Sequence, residues 1–207
     1  MSAREELLGR VRAALGPAPT VPQVPRAYRG AGAGGVPDVV ELFCERVADY
    51  RATVSRSSAG GLGDAVGRAL AERGSRRVAV APGLDIEVPG AELVRDGPEL
   101  VPADLDGLDA ALTGCALGIA ESGTIVLDGA ALSGRRALTL VPDHHVCVVR
   151  AEQVVASVPD AVAALAEAAG EGRPITFVSG PSATSDIELE RVEGVHGPRK
   201  LDLIVAG

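Results

Sequence analysis

The spacing of hydrophobic residues predicts a helix at the start of the chain, followed by a segment without regular structure. Between residues 7 and 15, leucine, valine and alanine recur at helical spacing. Ser2 and Glu5 precede them in the S-x-x-E pattern of a capping box. The helix is expected to end at Gly16-Pro17, because proline cannot continue it, and a proline- and glycine-rich linker follows up to residue 37.

Residues 1–37 are therefore expected to form an N-terminal arm, and residues 38–207 a single domain. An isolated helix of this length is marginal in water, so it needs a surface to pack on. That surface could belong to its own domain, to a sister chain in a homo-oligomer or to a partner protein. The sequence leaves these alternatives open.

Beyond the arm, helical and strand patterns alternate. Helices are predicted over 38–50, 61–74 and 152–170, the first capped by Asp38 and the last with a start signal at Ser157. Short runs rich in valine, isoleucine, leucine and alanine predict strands over 51–57, 76–82, 91–96, 108–114, 123–129, 137–142, 145–149, 175–179 and 201–206. This mixture favours an α/β layer fold that is mostly parallel with some antiparallel pairing.

Composition narrows the possible functions. Hydrophobic residues make up 46% of the chain and aromatic residues only 2%, so the core has to be aliphatic. The net charge of −8 and the scarcity of aromatic rings argue against nucleic-acid binding, which needs a basic face. With no signal peptide and no apolar run of membrane-spanning length, a cytoplasmic protein without membrane insertion is expected.

No cofactor or metal is predicted from the spacing of potential ligands. The three cysteines, Cys44, Cys115 and Cys147, are far apart in the chain, and no C-x-x-C pair occurs. The sequence therefore predicts neither an iron–sulfur cluster nor a structural zinc, and the cysteines are interpreted as buried thiols.

Two polar loops in the middle of the chain are candidates for chemistry. Ser122, Gly123 and Thr124 offer two hydroxyls and a permissive backbone that could bind an anion, although a tight turn into a strand explains them equally well. His144 and His145 follow Asp143 in a predicted turn between two strands, where a solvated histidine is the simpler interpretation.

The C-terminal region is the third candidate. Ser182, Thr184 and Asp186 follow the predicted strand 175–179, and α/β sheets bind ligands beyond the carboxyl ends of their strands. A helix starting after Pro181 would add an anion-binding N-terminus, although simple helix capping would also explain these side chains.

His196 and Arg199, in the loop that follows, could supply an acid–base imidazole and a carboxylate-binding fork. Glu121 is the most plausible catalytic carboxylate beside the Ser-Gly-Thr turn. Gly123, Ser182 and His196 are expected to line one cavity.

Three stretches together resemble a known family. In chain order they are GIAESGTIVL, RALTLVPDHHVCVV and FVSGPSATSDIELERVEGVHGPRKLDLIV. They are similar to the lactate-utilization protein C family, whose members carry a LUD domain. The resemblance runs from about Asp38 to the end of the sequence.

The resemblance implies a Rossmann-like α/β sandwich, similar to the ribose-5-phosphate isomerase, glucosamine-6-phosphate deaminase and CoA-transferase group. It also implies a role in bacterial oxidation of L-lactate to pyruvate with iron–sulfur partner subunits, with no cluster in this chain. Two alternatives remain: an enzyme acting on a small anionic, phosphorylated or CoA-linked substrate, and a regulatory protein that senses a carboxylic acid. Whether the chain is itself an enzyme is left open.

Overall fold

The computed structural model describes residues 2–18, 21–32, 38–184, 192–193 and 196–207. The α-helices in this part of the chain are α1 Ala3–Leu15, α2 Val39–Asp49, α3 Leu62–Glu72, α4 Pro102–Asp106, α5 Val158–Ala164 and α6 Ala166–Gly170, with short 3-10 helices at Ala59–Gly61, Arg136–Thr139 and Ala151–Gln153. The strands are β1 Thr53–Ser57, β2 Arg77–Val80, β3 Glu92–Arg95, β4 Ala110–Thr113, β5 Leu117–Ile119, β6 Thr124–Leu127, β7 His144–Arg150, β8 Val154–Val155, β9 Thr176–Val178, β10 Ala183–Thr184, β11 Val192–Glu193 and β12 Lys200–Ala206.

Two sheets build the domain. The central sheet is six-stranded, in the order β1-β12-β7-β4-β2-β3, and every pair in it is parallel. The second sheet has the order β8-β5-β6-β9 and contains antiparallel pairs, whereas β10 and β11 form a separate hairpin ladder. The prediction of a mostly parallel α/β fold with some antiparallel pairing is confirmed.

Alternating side chains of the central strands enter two different cores. On β7, Val146 and Val148 pack towards α3, whereas Cys147 and Val149 pack towards α2 and β6. Helix α5 covers the outer face of the second sheet through Ala161. The central sheet is therefore a middle layer with helices on one face and the second sheet with α2 on the other.

Two predicted elements were wrong. The run 137–142 forms a 3-10 turn instead of a strand, because Arg136 Nη1 bonds the carbonyl and hydroxyl oxygens of Thr139 while Leu138 is fully buried. The predicted helix 152–170 begins only after β8, whose Val154 and Val155 pair with β5. The helix start signal at Ser157 is confirmed by its capping box.

His144 and His145 do not lie in a turn, as the sequence suggested. They are the first residues of β7, and each is only 2% exposed. Strand β7 pairs with β4 on one side and β12 on the other, so it is central in the sheet. Because adjacent residues of a strand point to opposite faces, the two rings enter different environments.

The predicted first helix and its capping box are confirmed, and none of its residues is buried. After the linker, Arg29 donates hydrogen bonds to Glu121 at 2.7 and 2.8 Å, and the backbone N–H of Gly32 donates to Asp160 at 2.6 Å. These contacts tie the end of the arm to its own domain. No helix in the described part of the chain is long and apolar enough to cross a membrane.

Candidate functional site

A cavity of about 220 Å³ opens where the central sheet meets the edge strand of the second sheet. His145 and Leu201, at the starts of β7 and β12, form one wall, and β9 with the residues after it forms another. We call this space the His145 cavity. Its polar lining comprises Arg136, Thr139, His145, Thr176, Ser179, Ser182 and His196.

His145 is the most deeply buried titratable group of this cavity. Its Nε2 lies 2.8 Å from Oγ1 of Thr113, which is also buried. Burial lowers the pKa of His145 from 6.5 to about 3, and electrostatic interactions with His144 and Arg136 lower it further. The ring is therefore neutral at pH 7. Within the described residues its other nitrogen, Nδ1, makes no hydrogen bond and remains available to a ligand.

Arg136 supplies a positive charge without a matching carboxylate among the described residues. Its Nη1 donates to the carbonyl oxygen and hydroxyl of Thr139 at 3.1 and 2.8 Å. Its neighbour Arg135, by contrast, donates hydrogen bonds to the carboxylate of Asp96 from two of its nitrogens. Burial lowers the pKa of Arg136, which is the expected effect of desolvating an uncompensated cation. An anion entering the cavity would compensate that charge.

The rim of the cavity is made by loops that are tied together. The backbone N–H of Ser182 donates to the carbonyl of Pro198 at 2.8 Å, and its hydroxyl accepts from the N–H of His196 at 3.2 Å. The helix expected after Pro181 is absent from the described residues there, because β10 starts at Ala183 and pairs with β11. Ser182 and His196 thus line the same cavity, as the sequence predicted.

The Ser-Gly-Thr turn lies behind the cavity wall. The hydroxyl of Thr124 is 2.7 Å from that of Ser179, a lining residue, and 2.8 Å from that of Ser122. Gly123 faces α2 instead: with its φ of 57°, a Cβ there would lie 2.5 Å from the backbone of Arg46. Gly123 therefore allows close packing of the turn and does not line the His145 cavity.

Glu121 and Arg199 lie away from the cavity, in contacts of their own. Glu121 accepts from the N–H of Val158 at 2.8 Å and from Arg29, and these bonds lower its pKa. Arg199 pairs with Asp143 at 2.6 Å in an exposed position.

The remaining predicted ligand-binding residues are Thr184 and Asp186. The described structure places Thr184 in β10 only through its backbone. Asp186 lies outside the described residues.

Sequence reasoning did not select Arg136 or Thr139, and it interpreted His145, one of its candidates, as a solvated histidine in a turn. The available signal was the histidine pair, because two histidines on a strand must face opposite sides. The cavity follows the carboxyl end of β9, as expected, but it lies at the amino ends of β7 and β12. The rule that ligands bind at carboxyl ends therefore located only one of its walls.

Chemically, the arrangement suits a small anion with a second polar group. A guanidinium binds a carboxylate through parallel hydrogen bonds, and the neutral ring of His145 offers a nitrogen to a neighbouring oxygen. The volume is below the roughly 300–1,000 Å³ of pockets for drug-sized ligands. The fold and cavity thus define an α/β protein with a compact cavity whose lining suits a small anion.

Comparison with known proteins identifies the family. Residues 89–206 match the LUD domain, and the chain belongs to this family. It is 50% identical over 82% of its length to lactate utilization protein C of Deinococcus radiodurans, covering 80% of that protein. The protein of the same name in Shouchella clausii is 37% identical over 47% of this chain and 43% of its own length.

A solved structure supports the same relationship. It is the crystal structure of a DUF162 family protein from Deinococcus radiodurans, which is 44% identical. The two structures superpose with a TM-score of 0.71 over 82% of this chain and 96% of that one.

Proposed function

We propose that this chain acts in bacterial lactate utilization as a subunit that binds a small 2-oxygenated carboxylate in the His145 cavity. It works in the cytoplasm beside iron–sulfur subunits that carry out the oxidation of L-lactate to pyruvate, and it carries no cluster itself. Its fold is the Rossmann-like sandwich of the ribose-5-phosphate isomerase, glucosamine-6-phosphate deaminase and CoA-transferase group. The observation that carries the proposal is the guanidinium of Arg136, which has no carboxylate partner among the described residues, beside the neutral ring of His145.

The names of the relatives direct the proposal towards lactate, and the cavity supplies the chemistry. In the proposed complex, Arg136 binds the carboxylate of the ligand with its planar fork. His145 lines the same cavity. In the proposed complex its Nδ1 bonds the oxygen on C2, which is a hydroxyl in lactate and a carbonyl in pyruvate. A ligand with only a carboxylate would leave this buried ring nitrogen without a partner, which costs affinity.

Calorimetric titration of the purified chain with L-lactate, pyruvate and propionate tests this binding mode. We expect both 2-oxygenated acids to bind more tightly than propionate, which lacks the oxygen on C2. The variant Arg136→Gln should weaken binding about 10- to 100-fold, the equivalent of one charged hydrogen bond. Arg77→Gln is the matched control, because Arg77 forms an exposed pair with Glu92 outside the cavity. Equal affinity of Arg136→Gln and the wild type would contradict the proposed site.

The partner side of the proposal needs its own experiment. A tagged chain isolated from cells grown on L-lactate should retain subunits with the absorption spectrum of iron–sulfur clusters, identified by peptide mass spectrometry. The same preparation from cells with Arg136→Gln should retain them as well, because the proposal assigns Arg136 to ligand binding and not to partner binding. Isolation of the chain without iron–sulfur proteins would contradict this part of the proposal.

A second candidate is an enzyme acting on the bound anion. It is favoured by the presence of two imidazoles, those of His145 and His196, on one small cavity. A neutral imidazole can accept a proton from a substrate held within hydrogen-bond distance. Turnover of a carboxylate by the isolated chain, lost in His145→Gln, would support this candidate over a purely binding role.

A further inference from the structure

The second histidine of the pair belongs to a different constellation on the opposite face of the central sheet. His144 Nδ1 lies 2.9 Å from the hydroxyl of Ser75, and its Nε2 lies 3.0 Å from Oδ2 of Asp202. All three side chains are buried. A serine, a histidine and an aspartate are thus joined in one hydrogen-bonded row.

The direction of the protons in this row follows from the charge of Asp202. Burial alone would raise the pKa of this carboxyl, but hydrogen bonds from His144, Arg73 and Thr53 lower it to about 2. An ionised carboxylate only accepts hydrogen bonds, so Nε2 of His144 carries its proton. When the ring is neutral, Nδ1 carries no proton, and the hydroxyl of Ser75 donates to it. A hydroxyl aimed at a base that a carboxylate orients is the arrangement of an activated nucleophile.

Ser75 also has access to a ligand. Its exposed fraction is 7%, and it lines a cavity of about 190 Å³ between the end of α3 and the segment before β3. We call this space the Ser75 cavity. Gly74, with a φ of 72°, ends the helix, and the N–H of Ser75 is held by the carbonyl of Leu70 at 2.9 Å. The serine is therefore fixed in position at the wall of this cavity.

The lining of the Ser75 cavity indicates the kind of molecule. Leu70, Ala71 and Pro89 provide apolar contacts, and Arg76 borders the same space. Among the described residues no carboxylate forms an ion pair with the guanidinium of Arg76. This combination suits a short acyl chain attached to a group that carries negative charge.

We propose that Ser75, His144 and Asp202 form a nucleophilic site that hydrolyses short acyl esters. The oxygen of Ser75 attacks the ester carbonyl carbon, and its proton passes to Nδ1 of His144. The bond to the leaving alcohol breaks, and the alcohol takes that proton. Water then attacks the acyl-serine, again giving a proton to Nδ1, and the acid leaves as the serine oxygen recovers a proton. The proposal is independent of lactate binding, because the two cavities lie on opposite faces of the sheet.

Covalent labelling of the full chain by a fluorophosphonate, mapped by peptide mass spectrometry, tests the site. We expect Ser75 to be the labelled serine and p-nitrophenyl acetate to be hydrolysed in parallel. His144→Gln should slow labelling by about 100-fold or more, since general-base catalysis contributes about 10²- to 10⁴-fold. Ser58→Ala is the matched control, because Ser58 is exposed and makes no side-chain cap. This control variant should be labelled and hydrolyse the ester as fast as the wild type.

The results distinguish a nucleophilic Ser75 from a serine that only forms hydrogen bonds with its buried neighbours. Labelling of Ser75 in the wild type, lost on Ser75→Ala, supports the proposal even where His144→Gln fails to fold. Absence of label on Ser75, or labelling at the same rate in folded His144→Gln, would overturn it. Two measurements test the sites separately: titration of the labelled protein with L-lactate, and labelling of Arg136→Gln. We expect Arg136→Gln to lose lactate binding while labelling of Ser75 stays unchanged.

Discussion

The two faces of the central sheet can be compared at the start of β7. His144 and His145 point to opposite faces there, and they are adjacent and equally buried. On the His144 face, the ring has a partner on each nitrogen, and Arg73 compensates the charge of Asp202. On the His145 face, one ring nitrogen is free among the described residues and Arg136 lacks a carboxylate. Burial is the same, but the neighbouring elements make one face a closed network and the other an open cavity.

The difference follows from what each face meets. The end of α3 delivers Ser75 and Arg73 to the His144 face at distances suited to hydrogen bonds. The His145 face meets β9 and two loops, which approach without filling the space. We therefore expect the His144 network to contribute to stability in addition to the nucleophilic role proposed for Ser75, and the His145 cavity to contribute mainly to ligand binding.

The largest expected effect is on the acid stability of the His145 face. The unfolded chain protonates His145 near pH 6.5, whereas the folded chain does so only near pH 3. The unfolded state thus binds the extra proton, and stability falls as the pH drops through this window, by about 5 kcal/mol in total. Urea unfolding at several pH values should show a shallower decline in His145→Gln. His196→Gln is the exposed control, and parallel curves for all three proteins would contradict the assignment.

The next effect concerns the closed network. Asp202→Asn removes the charge that compensates Arg73 and orients His144, so we expect a loss of about 3–5 kcal/mol of unfolding free energy at pH 7. Chemical denaturation measures it, and Glu92→Gln, in an exposed pair, should change stability by about 0.5 kcal/mol or less. In the wild type about 2.4 kcal/mol of this contribution is lost as the pH falls from about 4 towards 2, the amount that corresponds to the lowered pKa of Asp202. A loss no larger than that of the control would show that the network is dispensable.

A smaller effect sharpens the role of the open face. Arg199 was expected from the sequence to bind the ligand, and it forms an exposed pair with Asp143. We predict that Arg199→Gln weakens binding of L-lactate by less than tenfold, and less than Arg136→Gln does. Titration calorimetry of the two variants under the same conditions gives the order. A larger loss of affinity for Arg199→Gln would indicate that the ligand binds nearer to the outer loop.

The smallest effect is expected for the arm, whose hydrogen bonds to the domain, among the described residues, go to Glu121 and Asp160. Deleting residues 2–37 removes the contacts of Arg29 and Gly32 and exposes no core residue, since α1 buries none. We expect a cooperative thermal transition within about 2–4 °C of the full chain. Loss of cooperativity would show that the arm is part of the domain core.

Rules based on neighbouring residues predicted the helix starts, which depend on hydrogen bonds between residues close together in the chain. The capping residues Ser2, Asp38 and Ser157 located helix starts, because the bonds they make span only three residues. The apolar run 137–142 was wrongly predicted as a strand, because a buried 3-10 turn and a buried strand have the same composition. The resemblance to the LUD family was a more specific signal than any single pattern.

The candidate site was only partly predictable for a different reason. Ser182 and His196 were found from their own loops, where polar residues are concentrated. His145 and Arg136 depend on the distant strand β9, which belongs to another sheet and forms the opposite wall. No local pattern around residue 145 encodes that wall, so its role required the tertiary arrangement.

The position of β12 between β1 and β7 has a consequence for biosynthesis. In the described sheet β1 bonds to β12 alone, so this early strand has no strand partner until residues 200–206 have left the ribosome. Asp202, which orients His144, and Leu201, which lines the His145 cavity, arrive with the same strand. Neither face of β7 can mature during elongation before that point, and nascent chains arrested upstream of residue 200 expose the edges of β1 and β7 to chaperones.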